Sequence, residues 1–133
     1  MKKILTSNKV YVGKSKILNA GRGVFAKCDI KINEVIERCP IIKVPKHDMS
    51  NLNESILVTY FFYYGTHKER LLVALGFGSI YNHAYKPNAK YNIKQKEGII
   101  EFVALDKIKK NKEITVNYNK HGNSKNPLWF ETI

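Results

Sequence analysis

Three short clusters in the 133-residue chain combine residue types that can do chemistry. Gly21-Arg22-Gly23-Val24-Phe25-Ala26 places two glycines around an arginine, directly before a β-branched and aromatic stretch. Glycine lets a backbone approach a ligand closely, but the third glycine and the following helix of a dinucleotide fingerprint are missing. Alone, the cluster reads as a turn feeding a strand. Asn82-His83-Ala84-Tyr85-Lys86-Pro87-Asn88 offers amides and an imidazole for reading a polar ligand. Glu113-Ile114-Thr115-Val116-Asn117-Tyr118 ends a strand-like run on a phenol. A lone histidine is most often a hydrogen-bonded structural residue, and a tyrosine at a strand end usually belongs to core or rim. No cluster by itself specifies a reaction.

In this order and at these separations, the three resemble the SET domain of protein-lysine methyltransferases. The matching features are a Gly-x-Gly-Val-Phe-Ala start, an Asn-His-x-x-x-Pro-Asn centre and a Glu-Ile-Thr-x-x-Tyr end. The resemblance runs from about Val10 to Tyr118, and Ala74 to His83 looks closest to the minimal SET proteins of large DNA viruses of algae. It implies a transfer of a methyl group from S-adenosyl-L-methionine to a lysine, a histone tail lysine being the leading expectation. It further implies that Gly21, Arg22 and Gly23 meet the cofactor's methionine end, that Asn82 and His83 hold its adenine and bent shape, and that Tyr118 is catalytic. Tyr60 and Tyr91 fall where the family places tyrosines of the lysine channel, although Tyr60 also reads as core within its aromatic run. Val116 stands where many relatives carry a larger aromatic, which favours di- or trimethylation. Trp129, with Phe130, is the expected aromatic lid of the cofactor site, where many relatives use a cysteine-rich zinc module. Simple packing of these two aromatics on the surface is the other reading. Ala84 replaces the usual serine and Asn119 the usual glycine after the catalytic tyrosine; neither is a proposed chemical group.

Such a reaction makes physical demands. Donor and nucleophile must be aligned closely, since positioning supplies much of the acceleration. The lysine, of free pKa about 10.4, must arrive uncharged. A narrow aromatic channel meets that need by desolvation.

The elements that must position these groups read as short strands. Val10 to Val12, Gly23 to Ala26, Glu34 to Glu37, Ile41 to Val44, Tyr91 to Lys94, Ile99 to Leu105 and Glu113 to Tyr118 are the candidates. Gln95 to Gly98 makes a hairpin turn, with glycine supplying a positive φ. The run Ile56 to Tyr64 is ambiguous by period, and its aromatics favour strand. Asn53 to Phe61 is the best helix candidate. Two segments echo each other: Asp29 to Ile36 and Lys107 to Ile114 both read as a turn feeding a strand, with Asn33 and Asn111 placed for a left-handed conformation. The expected fold is mostly β: a SET-type β-clip of several small sheets with few short helices. One domain covers 1–133, its core about 10–118, and a closing segment 119–133 threads back in a knot-like manner, an otherwise rare topology.

Composition bounds the rest. The chain is 44% apolar, enough for a core at this length. No run of about 18 apolar residues occurs and the start lacks a signal-peptide core, so no membrane role and a cytoplasmic or nuclear location are expected, the host nucleus for a viral protein or a bacterial effector. Cys28 and Cys39 form no CxxC pair and the histidines are scattered, so no metal is expected. Lysine and arginine number 23 against 11 acids, a net charge of +12, which favours acidic partners such as nucleosomes. The basic residues show no obvious block along the chain, and solubility alone also accounts for them. Asp48, Glu97 and Glu101 are candidate readers of a basic tail. The small viral relatives act as dimers, which implies a homodimer here. The competing readings are a catalytically silent SET-like module that binds chromatin or nucleic acid through charge, and a methyltransferase for a non-histone protein.

Overall fold

Turn chemistry sets the frame of this protein. The computed structural model describes residues 3–65, 67 and 69–118. Asn33 (φ 68°) and Asn111 (φ 71°) both adopt the left-handed conformation, as their turns require. Each turn feeds a strand, and the two echoing segments are joined to each other by an antiparallel bridge between Ile30 and Ile108. Gly98, at φ 69°, closes the Gln95–Glu97 turn in the same way.

The described residues form nine strands: β1 (Val10–Lys14), β2 (Arg22–Ala26), β3 (Val35–Val44), β4 (Phe61–Tyr64), β5 (Arg70–Ala74), β6 (Asn82–His83), β7 (Ala89–Lys94), β8 (Ile99–Ala104) and β9 (Glu113–Val116). They form two small sheets, one ordered β1-β2-β9-β6 and the other β4-β5-β3-β8-β7. All pairings are antiparallel except β6 with β9. That exception brings the Asn82-His83 pair alongside Thr115 and Val116. The core lies between the sheets and includes Val24, Ile36, Phe102, Ile108, Ile114 and Val116. Tyr81 stacks on Phe102 at 4.2 Å between centroids, and burying one such side chain contributes about 2 kcal/mol. A smaller cluster of Val44, Phe61 and Leu71 seats the only α-helix among the described residues, α1 (Met49–Asn53), through Met49 and Leu52.

The mostly-β expectation holds, with three local differences. The separate strands at Glu34 to Glu37 and Ile41 to Val44 are one strand, β3, despite Pro40. Its partner changes at that proline, from β8 through Val35–Pro40 to β5 through Ile41–Val44, so the missing N–H falls at a hand-over between ladders. The helix expected over Asn53 to Phe61 is absent: α1 ends where it was to start. Ser55 competes with helix continuation, accepting the Leu57 N–H at 3.2 Å and donating to the Leu52 carbonyl at 2.7 Å. The strand reading of Ile56 to Tyr64 is right only from Phe61 onward, since Ile56–Thr59 is a 3-10 turn. The threading of 119–133, with Asn119, Trp129 and Phe130, lies outside the described residues. No helix among the described residues is long and apolar enough to cross a membrane.

The left-handed turn at Asn33 yields a direct test. Asn33→Ala is expected to lower unfolding free energy by about 1 kcal/mol, and Asn33→Gly by distinctly less, in urea titrations. Equal losses would mean that the side chain, and not its backbone conformation, is what matters.

Candidate functional site

The site is assembled around β9, which receives a neighbour on each side. On one side is β2, with Val24 opposite Ile114; on the other is β6. Glu113 opens β9, and its carboxylate ties the region together. One oxygen accepts from the Ser15 hydroxyl at 2.7 Å and the other from the Asn82 amide at 2.8 Å. The same Asn82 amide donates to the Arg22 carbonyl at 2.9 Å. Gly23 leaves the necessary room, since a Cβ there would stand 2.3 Å from the Glu113 carboxylate. Asn88 clips β9 from a further direction, donating to the Glu113 carbonyl and accepting from the Thr115 N–H, both at 2.9 Å.

Beyond β9 lies Tyr118, held at three points. Its N–H donates to His83 Nδ1 at 3.0 Å, its carbonyl accepts from the Tyr91 hydroxyl at 3.2 Å, and its own hydroxyl donates to the Tyr81 carbonyl. Burial pushes the Tyr118 phenol well above the usual tyrosine range, helped by Tyr60 and Glu113, so it remains an O–H donor at neutral pH. Burial likewise raises Tyr91. Desolvation lowers the His83 pKa from 6.5 and favours neutral imidazole. Because Nδ1 accepts from Tyr118, the ring proton is assigned to Nε2, which is buried without a hydrogen-bond partner among the described residues.

Two spaces meet here. The wider, about 410 Å³, is lined by Arg22, Asn82 and His83 together with apolar Ile17, Leu18 and Ile80. The narrower, about 10 Å³, runs between Phe62, Gly78 and Tyr81. Thr59, Tyr60, Ser79 and Tyr118 line both, so the Tyr118 side chain stands at the junction. A cavity of this size, with polar Arg22, Asn82 and His83 among apolar residues, suits a nucleoside-bearing ligand.

The placement of each expected residue is therefore specific. Arg22, Asn82 and His83 line the wider space, and Tyr60 and Tyr118 line both. Gly21, in a left-handed conformation at φ 74°, and Gly23 flank Arg22. Tyr91 and Val116 are buried behind Tyr118 and line neither space. Trp129 is outside the described residues. Glu101 is buried and paired with Arg38 at 3.0 Å and Lys94 at 3.4 Å, so it is unsuited to reading a substrate tail.

Sequence reasoning missed Ser15, Glu37 and Tyr81. The buried Glu37 carboxylate accepts from the Tyr81 hydroxyl at 2.8 Å and from the Phe77 N–H at 3.1 Å. It thereby braces the loop whose Tyr81 carbonyl receives Tyr118. Gly76 makes room for it at φ 60°, where a Cβ would stand 2.8 Å from the carboxylate. The two glycines of Gly76-Phe77-Gly78 were the available signal. Glu37 itself, inside a strand pattern, gave none.

His83 makes stability pH-dependent with a defined sign. Its folded pKa is lowered, so its contribution is complete above the unfolded value of about 6.5 and is lost as pH falls through that value toward the folded one. Urea midpoints are expected to drop between pH 7.5 and 5.5, and His83→Asn is expected to flatten that drop. An unchanged pH slope in the variant would place the dependence elsewhere.

Comparison with known proteins agrees with this geometry. The SET domain family matches residues 21–119. The H3 lysine-37-specific histone-lysine N-methyltransferase of Schizosaccharomyces pombe is 32% identical over 112 residues, which is 84% of this chain and 71% of that protein. Among solved structures, a candidate histone methyltransferase of Plasmodium falciparum shares 38% identity at a TM-score of 0.63, over 83% of this chain and 92% of that one. A chain of the Chaetomium thermophilum polycomb repressive complex 2, solved with S-adenosylmethionine bound, reaches a TM-score of 0.68 at 24% identity. This protein spans 15% of that chain, and the likeness bears on fold alone. With a family match across three-quarters of its length and a lysine methyltransferase among its relatives, the chain belongs to the SET domain family of protein-lysine methyltransferases.

Proposed function

We propose that the protein is an S-adenosylmethionine-dependent protein-lysine N-methyltransferase acting on a histone tail lysine. The observation that carries this reading is the junction of a wide, half-polar cavity with a narrow aromatic neck at the Tyr118 hydroxyl. In this reading the cofactor fills the wide cavity and the lysine approaches by the neck, so that the two meet at Tyr118. The histone substrate is supported by the activity named for the S. pombe relative.

S-adenosylmethionine supplies, when bound, a methyl group made electrophilic by its sulfonium. The wide cavity fits it in size and lining, with Arg22, Asn82 and His83 beside apolar Ile17, Leu18 and Ile80, and His83 Nε2–H has no acceptor among the described residues. In this reading Gly21, Arg22 and Gly23 border its methionine end, while Asn82 and His83 border its adenine. Asn82 acts largely through structure, since its amide protons are committed to Arg22 and Glu113. Trp129 belongs to the same proposal as an aromatic closure of the cavity.

The neck handles the lysine. Its aromatic walls disfavour an ammonium, so the amine must lose its proton before it is fully enclosed. Tyr60 stands at the junction as one wall, and Tyr91 acts from behind by holding the Tyr118 backbone. The Tyr118 hydroxyl donates to the Tyr81 carbonyl, and its oxygen would favour positive charge on the transferred methyl. Phe62 and Tyr81 line the neck and Val116 does not, so the first two set how many methyls fit. The finer likeness to minimal viral SET proteins, with its homodimer and nucleosomal substrate, is part of this proposal.

The test is methyl transfer from labelled S-adenosylmethionine to core histones, nucleosomes and lysate proteins. Wild-type protein is expected to label a histone, and Tyr118→Phe to reduce the rate by about 100-fold or more while cofactor binding persists. Label confined to lysate proteins would remove the histone. Absence of both label and calorimetric cofactor binding would remove the enzyme.

A further inference from the structure

The two echoing turns, far apart in sequence, come together at one end of the fold, and they carry lysines. The bridge between Ile30 and Ile108 is made by two backbone hydrogen bonds, of 2.8 and 2.9 Å, which sets Lys31 beside Lys107. The Asn111 N–H donates to the Ala26 carbonyl at 2.7 Å, and Ala26 N–H donates to the Lys112 carbonyl at 2.9 Å, which brings Lys27 to Lys110 and Lys112. A backbone bond from Lys112 to the Lys109 carbonyl closes the turn at 3.0 Å. Lys27, Lys31, Lys107, Lys109, Lys110 and Lys112 are all exposed, and none has an ion-pair partner among the described residues. The neighbouring acids offset little. Glu34 is taken by Lys9 at 2.7 Å, and Asp29, which accepts the Lys110 backbone N–H at 2.9 Å, and Asp106 are the exposed carboxylates that stand against the six lysines of these turns.

We propose that this lysine-bearing end, built from the turns at 27–33 and 107–112, is a docking surface for the phosphate backbone of duplex DNA. The partner follows from charge and form. A rigid pair of turns presenting ammonium groups is suited to neutralising a row of phosphates without reading bases. A bilayer surface would ask for several apolar anchors beside the charge, and Ile32 is the one large apolar side chain exposed among these turns. The placement also suits a substrate that travels with DNA, and in this respect the inference rests on the histone reading above. Lys112 and Tyr118 stand at opposite ends of the β9 segment, six residues apart, or about 20 Å along an extended chain. None of these lysines lines either space of the site.

The experiment measures anisotropy of a labelled 30-base-pair duplex titrated with full-length protein at several salt concentrations. Two charge-matched triple variants are compared: K109E/K110E/K112E in the patch, and K43E/K46E/K90E at exposed positions elsewhere. The patch variant is expected to bind about 30-fold more weakly or worse at 0.1 M salt, with a log–log salt slope flatter by roughly 2 to 3, and the control to change far less. It is also expected to lose rate on nucleosomes while keeping its rate on an isolated histone H3 tail peptide. Equal weakening in both variants would overturn the inference in favour of a diffuse cationic field. Tighter binding to phosphatidylserine vesicles than to DNA, lost in the patch variant, would overturn it in favour of a membrane surface. DNA binding is read without reference to catalysis. Should no histone be methylated, the docking surface stands or falls on the anisotropy alone.

Discussion

The Glu113 carboxylate is the constraint on which the site depends. It accepts from Ser15 on one side and Asn82 on the other, and so joins the loop after β1, the rim strand β2, the two-residue β6 and β9. Hydrogen bonds to an ionised acceptor are worth about 1.5–3 kcal/mol each, more than neutral ones. Two-residue β6 has little ladder of its own, so these side-chain bonds do much to hold Asn82 and His83 against β9. Gly23 is part of the same arrangement through the side chain it lacks.

From that anchor the order extends as a relay. Asn88 holds the start of β9, His83 and Tyr91 hold the backbone of Tyr118, and the Tyr81 carbonyl holds its hydroxyl. Behind Tyr81 stands Glu37, buried with its carboxylate satisfied from two directions. The Tyr118 hydroxyl is thus the last member of a series of hydrogen bonds that runs back to buried Tyr81 and Glu37. A site at a junction of two spaces needs such support, because a displacement of 1 Å there would change which space the hydroxyl faces.

Much of this was legible in the chain, for identifiable reasons. Asn33, Asn111 and Gly98 announced their turns because few residues tolerate a positive φ. The hairpin of β7 and β8 followed from strand patterns flanking one of these turns. Asn82, His83 and Tyr118 were legible only through the order and spacing of their clusters, which resemble the SET domain; singly, each read as a structural residue. What stayed hidden depended on tertiary context. Pro40 argued against a continuous β3 because a change of ladder partner is not a local property. Ser55 looked like part of a helix start and instead broke one. The lysines of the two turns looked scattered, since only the Ile30–Ile108 bridge makes them neighbours. Glu37 was silent because a carboxylate in a strand normally points to solvent.

The pairing of β9 has a consequence for the order in which the molecule comes into being. Ser15 and Glu113 are 98 residues apart, and β9 is the strand through which the first and central clusters meet. During synthesis, the β1–β2 hairpin and the sheet of β3, β4, β5, β7 and β8 can form before β9 arrives to pair with β2 and β6. Closing so large a loop carries an entropic cost that only the completed contacts offset. The site around β9 and Tyr118 is therefore among the last parts of the described fold to mature. Any ligand that binds only the closed form then acts as a folding aid, adding stability in proportion to the logarithm of its concentration.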